Sequence, residues 1–226
     1  MEIKVISFDI FQTLVDVNKR IPHIWQGILG EAYTGEDGMR GARGILEHYP
    51  SSLQKAITAE RFYTMHEVYL DCANQVLMKT NLPVKAETVV EHLLYQHSMA
   101  PLYEDVAECM EQIHKKYRII LSSDSNHTMV DELLKNFIYD DLFISDDLKS
   151  YKESKDGGFF RQVVERLGVK AGEILHVGDS RSDVLGAYRI GVVSCWLNRE
   201  QHFWKHEIKP DYEVHALSEL VALLNI

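Results

Sequence analysis

The sequence predicts an α/β protein: a doubly wound, mostly parallel sheet into which a separate α-helical segment is inserted. Three observations predict this class. Short, continuously apolar, β-branched runs end in small or acidic residues, as strands buried on both faces of a parallel sheet do. After about residue 100 these runs alternate with helical patterns, which is typical of β–α repeats. Residues 17–98 show only helical patterns, so they form the insert.

The predicted elements follow in chain order. The first strand, Ile3–Phe8, belongs to the sheet, and the insert contains helices over Glu60–Lys79 and Ala86–His97, with the glycine-rich segment Thr34–Gly44 expected to form a loop. The alternation of strands and helices resumes after the insert. We therefore predict a Rossmann-like core domain of residues 1–16 and 99–226 and a helical cap domain of residues 17–98. The later strands are predicted at Arg118–Leu121, Leu142–Ile144, Ile174–Val177 and Val192–Trp196, and the later helices at Val106–Lys115, Thr128–Asn136 and Phe159–Leu167.

The charge and composition of the chain exclude several classes of binding partner. The 226 residues include 24 Lys and Arg against 34 Asp and Glu, a net charge of -10, which repels a nucleic-acid backbone. No run approaches the roughly 20 apolar residues that span a bilayer, and the N-terminal apolar run is too short for a signal peptide. The three cysteines are scattered, which predicts neither a disulfide framework nor a zinc site. We therefore expect a cytoplasmic protein acting on a small molecule, with no nucleic-acid or membrane partner; the oligomeric state stays open.

Two predicted strands end in polar residues that can carry chemistry. Asp9 follows the first strand, where a carboxylate serves as a nucleophile, as a metal ligand or as a cap of the next turn. Ser122 begins the polar segment Ser122–Asn126 at the end of the second strand. Such hydroxyls and amides hold anions, although they are also common turn residues.

The segment from Ile174 to Asp183 gives the strongest local signal. Gly178 lies where the chain leaves a strand, and Asp179 and Asp183 are four positions apart at the entry to a helix. Paired acids of this kind suit Mg²⁺, and the alternative is a surface pair that caps the helix. Lys152 follows another strand, and taken alone it would be an ordinary solvated lysine.

Taken together, these elements resemble the motifs of the haloacid dehalogenase-like hydrolase superfamily, whose members are mostly phosphatases and phosphotransferases. Asp9 with Thr13 matches the first motif, and Ser122 the second. Lys152 matches the third, with Lys155 as the alternative because the stretch around it is irregular. Asp179 and Asp183 match the fourth. The resemblance covers residues 1–16 and about 99–226, and the insert resembles helical caps that follow the first motif.

The resemblance implies a Mg²⁺-dependent phosphatase acting on a small phosphorylated metabolite. Asp9 would attack phosphorus and form an aspartyl phosphate, which water then hydrolyses. Lys152 and Ser122 would bind the phosphoryl group. The metal would be held by Asp9, the main-chain carbonyl of Phe11, Asp179 and Asp183, the last as ligand or as an orienting residue.

One departure from the family pattern concerns Phe11. Most phosphatases of the family carry a second Asp at this position, which moves a proton to and from the reacting oxygens, and a phenyl ring cannot. The family's 2-haloacid dehalogenases carry an aromatic residue here because a halide leaves without a proton. Those enzymes need no metal and typically lack the Gly-Asp of the fourth motif, which this chain keeps in Gly178 and Asp179. A dehalogenase, and a binding or regulatory relative with weakened catalysis, are therefore the alternatives to a phosphatase.

Overall fold

The computed structural model of the protein describes residues 2–80 and 82–226. Met1 and Asn81, which fall within the predicted core and helical ranges, lie outside the described residues. The strands are β1 Val5–Phe8, β2 Arg118–Ser123, β3 Asp141–Ile144, β4 Ile174–Gly178, β5 Val193–Leu197 and β6 Tyr212–Val214. The helices are α1 Ile21–Leu29, α2 Gly35–Thr58, α3 Met65–Thr80, α4 Ala86–Ser98, α5 Val106–His114, α6 His127–Val130, α7 Ser145–Leu148, α8 Gly158–Leu167, α9 Arg181–Ile190 and α10 Leu217–Leu223, with short 3₁₀ turns between some of them.

The strands form one parallel sheet in the order β3-β2-β1-β4-β5-β6. The chain winds from β1 outward through β2 and β3, and then returns to β4 on the other side of β1. This reversal places a topological switch point between β1 and β4, where ligands of open α/β sheets bind. The predicted α/β class is confirmed. The sequence did not predict β6, because it is a three-residue edge strand with Glu213 at its centre and so lacks a continuous apolar run.

The chain divides into two compact units. The first contains residues 2–15, Leu102–Asp124 and Asn136–Ile226, and holds the sheet with α5 and α7 to α10. The second contains Asp16–Pro101 and Ser125–Lys135, and holds α1 to α4 and α6. Residues 125–135, which the sequence groups with the sheet, are in the helical unit because α6 packs on α4. The assignment of residues 17–98 to a separate cap domain stays a prediction.

Within the first unit, the strands are apolar because helices cover them. Val5, Ile120 and Ile174 face a core that includes Phe159 and Phe160 of α8. Since side chains alternate along a strand, Ser7, Ser122 and His176 face the same side as this core. On the other side α5 packs against β2 and α10. Gly168, with φ +65°, ends α8 as predicted.

Within the second unit, the glycine-rich segment is helical. The expectation of a loop over Thr34–Gly44 is wrong, since α2 begins at Gly35 and Thr34 caps it by accepting a hydrogen bond from the amide of Asp37. The glycines serve packing: a Cβ at Gly41 would lie 2.2 Å from the Trp25 ring. Among the described residues, no helix is both long and apolar enough to cross a membrane.

Candidate active site

Asp9 begins a tight turn directly after β1. Its amide donates to the carbonyl of Val177 on β4 (2.8 Å), so the sheet holds the start of the turn. The amides of Leu14 and Val15 then donate back to the carbonyl of Ile10, and Gln12 takes a left-handed conformation with φ 61°. A non-glycine residue in this region is uncommon and marks a turn whose shape is imposed by its surroundings. Phe11 and Thr13 lie in this turn.

Lys152 joins the first and fourth motifs through a buried ammonium group. Its Nζ atom donates to Oδ1 of Asp9 (2.6 Å) and to Oδ1 of Asp183 (2.5 Å), and all three side chains are less than a tenth exposed. Lys155, the alternative left open by the sequence, is exposed. The structure therefore brings Lys152 to Asp9, which the sequence alone left undecided.

Asp183 is saturated with hydrogen bonds from the protein. Its Oδ1 faces Lys152 and Nε2 of His176 (2.9 Å), and its Oδ2 accepts from the amide (3.0 Å) and hydroxyl (2.5 Å) of Ser180. A carboxylate offers about four acceptor positions, and these four contacts use them. Asp183 is thus held rigidly at the N-terminus of α9.

Two glycines allow α9 to approach this closely. A Cβ at Gly178, the last residue of β4, would lie 2.2 Å from the carboxyl carbon of Asp183. A Cβ at Gly186 would lie 2.3 Å from the main-chain oxygen of Lys152. Any larger residue at either position would push the helix away from the Lys152 and Asp183 pair.

Asp179 completes a group of three carboxylates. Ligand atoms of Asp9, Asp179 and Asp183 all lie within 4.8 Å of one another. Asp179 follows Gly178 directly, and its main-chain oxygen accepts a hydrogen bond from Nε1 of Trp196 on β5 (2.8 Å), which fixes the loop between β4 and α9. The sequence-predicted Asp9, Lys152, Asp179 and Asp183 therefore meet at the switch point of the sheet.

The pKa values of the three carboxylic acids shift in different directions. Burial raises the pKa of Asp9 to about 6, opposed by the attraction of Lys152. Burial and the nearby Asp9 and Asp183 raise the pKa of Asp179 well above its ordinary value. Burial also acts against ionisation of Asp183, but Lys152 and His176 outweigh it and lower its pKa. Asp183 is thus the ionised partner of Lys152, while the raised pKa values of Asp9 and Asp179 show that the protein does not fully balance a negative charge on either of them.

Burial acts against the charge of Lys152 as well. The attraction of Asp183, Asp9 and Asp124 is stronger, and the net effect raises the pKa of Lys152 above its ordinary value. The lysine is therefore a fixed positive charge at neutral pH. When all four side chains are ionised, one ammonium group faces three carboxylates, and the group has a net negative charge.

The donor set fits a divalent cation. Carboxylate oxygens are the ligands that Mg²⁺ prefers, and three of them lie close enough to share one ion. Burial first, and repulsion by neighbouring carboxylates after it, raise the pKa values of Asp9 and Asp179. A bound cation would lower both, because it favours the ionised carboxylates. Because Asp183 is saturated, Asp9 and Asp179 are the carboxylates with the greater remaining capacity to bind a metal.

Ser122 lies on β2, next to β1 but outside the carboxylate group. Its Oγ is 2.9 Å from Oγ of Ser7, which is in turn 2.8 Å from Nδ1 of His176. His176 reaches Asp183 through Nε2, so a buried polar chain links Ser122 to Asp183. Burial lowers the pKa of His176, which favours the neutral ring.

The sequence alone predicts no role for Ser7, His176 or Asp124. A signal for the first two was present: each is a polar residue inside an otherwise apolar strand, two positions before an acid or glycine of a motif. Asp124 directly follows β2, and its Oδ1 accepts a hydrogen bond from the main-chain amide of Lys152 (3.0 Å). Its contact is to the backbone of a distant residue, so the sequence could not reveal it.

This arrangement of motifs has a match among known families. A family model described as haloacid dehalogenase-like hydrolase matches residues 3–191. The chain belongs to this family. The resemblance predicted from the four motifs is therefore confirmed, and the protein is a hydrolase of the family.

Relatives within the family differ in chemistry. The chain is 29% identical to (S)-2-haloacid dehalogenase 4A of Burkholderia cepacia over 140 residues, which are 59% of this chain and 60% of that protein. It thus spans less than two thirds of that relative. It is 24% identical to 5-amino-6-(5-phospho-D-ribitylamino)uracil phosphatase YigB of Escherichia coli over 198 residues, 85% of this chain and 80% of the phosphatase.

Solved structures agree on the fold. The HAD-hydrolase YfnB from Bacillus subtilis, bound to magnesium, superposes with a TM-score of 0.81 at 19% identity, covering 100% of both chains. A defluorinating L-2-haloacid dehalogenase superposes with a TM-score of 0.82 at 18% identity, covering 99% of this chain and 96% of the other. At such identities the likeness concerns the fold alone.

Proposed function

We propose that the protein is a Mg²⁺-dependent phosphatase that acts on a small phosphorylated metabolite in the cytoplasm, through an aspartyl phosphate formed on Asp9. The observation that carries this proposal is the group of three carboxylates within 4.8 Å around Lys152. With one ammonium for three acids, the group bears excess negative charge when ionised. An anionic substrate approaches such a group only with a cation, and Mg²⁺ with a phosphate dianion meets that requirement.

Asp9 is the proposed nucleophile. Lys152 binds its Oδ1, which leaves Oδ2 to attack phosphorus. Asp9, Asp179 and the main-chain oxygen of Phe11 are the proposed metal ligands, and Asp183 orients Lys152. When bound, Mg²⁺ would neutralise charge on the phosphoryl oxygens. The protein's own contribution is positioning, because the Asp183 and Lys152 pair is held on both sides by hydrogen bonds.

Ser122 is proposed to contact the phosphoryl group together with Lys152. It lies at the carboxyl end of β2, and the pairing of Phe8 with Leu121 puts it beside Asp9 in the register of the sheet. The buried chain through Ser7 and His176 fixes its side chain. A fixed hydroxyl needs little reorganisation when the substrate binds.

A 2-haloacid dehalogenase is the second candidate. The observation that favours it is Phe11, an aromatic residue where a proton-transferring acid would serve ester hydrolysis, together with the similarity to (S)-2-haloacid dehalogenase 4A. Against it stands the excess negative charge, which would repel the carboxylate of a haloacid. A regulatory relative with weak catalysis would bind phosphate esters without turnover.

The deciding experiment measures phosphate release from a panel of phosphate monoesters and chloride release from (S)-2-chloropropionate. Each assay is run once with roughly 5 to 10 mM MgCl₂ and once with EDTA in its place. We expect phosphate release only with Mg²⁺, loss of it in Asp9→Asn and Asp179→Asn, and no effect of the exposed control Asp131→Asn. Chloride release that persists in EDTA and in Asp179→Asn would establish the dehalogenase instead. Binding of esters without release of either product would establish the regulatory relative.

A further inference from the structure

Asp124 directly follows β2, the strand that lies beside β1 in the sheet. The two strands pair in parallel with Phe8 opposite Leu121. Asp9 and Ser122 are the next residues after this pair, and beyond Asp9 the chain enters the turn that contains Phe11. Asp124 and the turn that contains Phe11 thus follow the carboxyl ends of two adjacent strands, where ligands of open α/β sheets bind.

Asp124 contacts the lysine that also binds the proposed nucleophile. Its Oδ1 accepts a hydrogen bond from the amide of Lys152 (3.0 Å), while Nζ of Lys152 binds Asp9 (2.6 Å). A single residue therefore touches both acids. Asp124 is partly exposed, and among residues 2–80 and 82–226 its Oδ2 makes no hydrogen bond. One oxygen is thus fixed, and the other is available to a substrate.

We propose that Asp124 is the general acid and base of the phosphatase reaction and performs the proton transfer that the phenyl ring of Phe11 cannot. This inference rests on the proposed function. As Oδ2 of Asp9 bonds to phosphorus, the bond from phosphorus to the leaving oxygen breaks, and its electron pair stays on that oxygen. The carboxyl group of Asp124 gives its proton to this oxygen, which releases the alcohol. The Asp124 carboxylate then takes a proton from water as the water oxygen attacks phosphorus. The bond from Asp9 to phosphorus breaks, and Asp9 and protonated Asp124 are restored.

The electrostatic environment of Asp124 suits both halves of this cycle. Burial raises its pKa to about 7, with Lys152 opposing the shift and Asp183 and Asp9 adding to it. A general acid and base works best when its pKa is near the operating pH, because both protonation states are then populated. Asp179 and Asp9, by contrast, are committed to the nucleophile and metal roles.

The test compares an alkyl with an aryl phosphate, because a nitrophenolate leaves with little help from an acid and an alkoxide does not. Asp124→Asn keeps an oxygen acceptor for the Lys152 amide, so the local fold is preserved. We expect its single-turnover rate on glycerol phosphate to fall about 10²- to 10⁴-fold and that on p-nitrophenyl phosphate to fall less than about tenfold. A burst of one equivalent of nitrophenolate should then precede slow turnover, because hydrolysis of the aspartyl phosphate has lost its base.

Two further variants separate chemistry from structure. Asp124→Glu retains a carboxyl group and should keep most of the wild-type ratio of alkyl to aryl rates. Phe11→Asp should raise the alkyl rate at least about tenfold in the Asp124→Asn background and less than that in the wild-type background. The matched control is Asp131→Asn, at an exposed aspartate directly after α6, and it should change neither rate.

The outcomes are distinct. Equal losses on both esters, or no loss on either, would overturn the role of Asp124 and leave the phosphatase proposal intact, since the wild type still releases phosphate. Absence of phosphate release by the wild type from either ester would overturn both. A selective loss on the alkyl ester, with the burst and the Phe11→Asp rescue, supports the assignment.

Discussion

Replacing Asp179 with Asn is expected to stabilise the metal-free protein and to abolish its stabilisation by Mg²⁺. The two effects have opposite signs and one cause. Ligand atoms of Asp9, Asp179 and Asp183 lie within 4.8 Å of one another, and Lys152 contributes a single positive charge. Without a metal, ionised Asp179 repels its neighbours, whereas with Mg²⁺ the same carboxylate is a ligand.

The size of the effect follows from the geometry. Two unit charges no more than 4.8 Å apart repel by at least about 3 kcal/mol at an effective dielectric constant of about 20. Lys152 and partial protonation of Asp179 reduce this repulsion, so we expect the free energy of unfolding at pH 8 to rise by about 1 to 3 kcal/mol in EDTA. For a chain of this length that corresponds to an increase of roughly 2 to 12 °C in the midpoint of thermal unfolding.

The assay is thermal unfolding followed by circular dichroism, in EDTA and in MgCl₂. Mg²⁺ at 100 times its dissociation constant should stabilise the wild type by about 2.7 kcal/mol, and the Asp179→Asn variant by much less. Asp131→Asn, whose side chain is 59% exposed, should behave as the wild type in both buffers. A variant that is destabilised in EDTA and still gains as much from Mg²⁺ as the wild type would refute the reasoning.

Two more predictions concern the charges of the site. Because burial raises the pKa of Asp9 from 3.8 to about 6, the metal-free folded state holds that proton more tightly than the unfolded state. With respect to this group, stability should therefore be highest below about pH 4 and fall by roughly 3 kcal/mol in total as pH rises from about 4 through about 6. Urea unfolding between about pH 3 and pH 8 measures this fall, and a flat profile would contradict it. Lys152→Met leaves Asp9 and Asp183 without their buried partner and should cost about 3 to 5 kcal/mol at pH 8 and less at pH 5. Lys155→Met, at an exposed position, should stay within about 0.5 kcal/mol of the wild type.

The sequence by itself determined five of the six strands, several of the helices and the order of the motifs. Continuous apolar runs can be buried only in the middle of a layered sheet, so β1 to β5 were predictable to within a residue or two. Acids and glycines at strand ends indicated where the site lies, because the carboxyl ends of parallel strands meet at one edge. These are local properties, and each can be read within a short window of the chain.

The tertiary structure decided which distant side chains share contacts. The sequence could not choose between Lys152 and Lys155, and the hydrogen bonds of Lys152 to Asp9 and Asp183 made the choice. The glycine-rich start of α2 was expected to be a loop, yet it is helical because Gly41 packs against Trp25, a neighbour that no local pattern reveals. The contact of Asp124 with the Lys152 amide is of the same kind. Hydrogen bonding and close packing between residues far apart in the chain depend on the assembled fold, and local propensity carries no information about them.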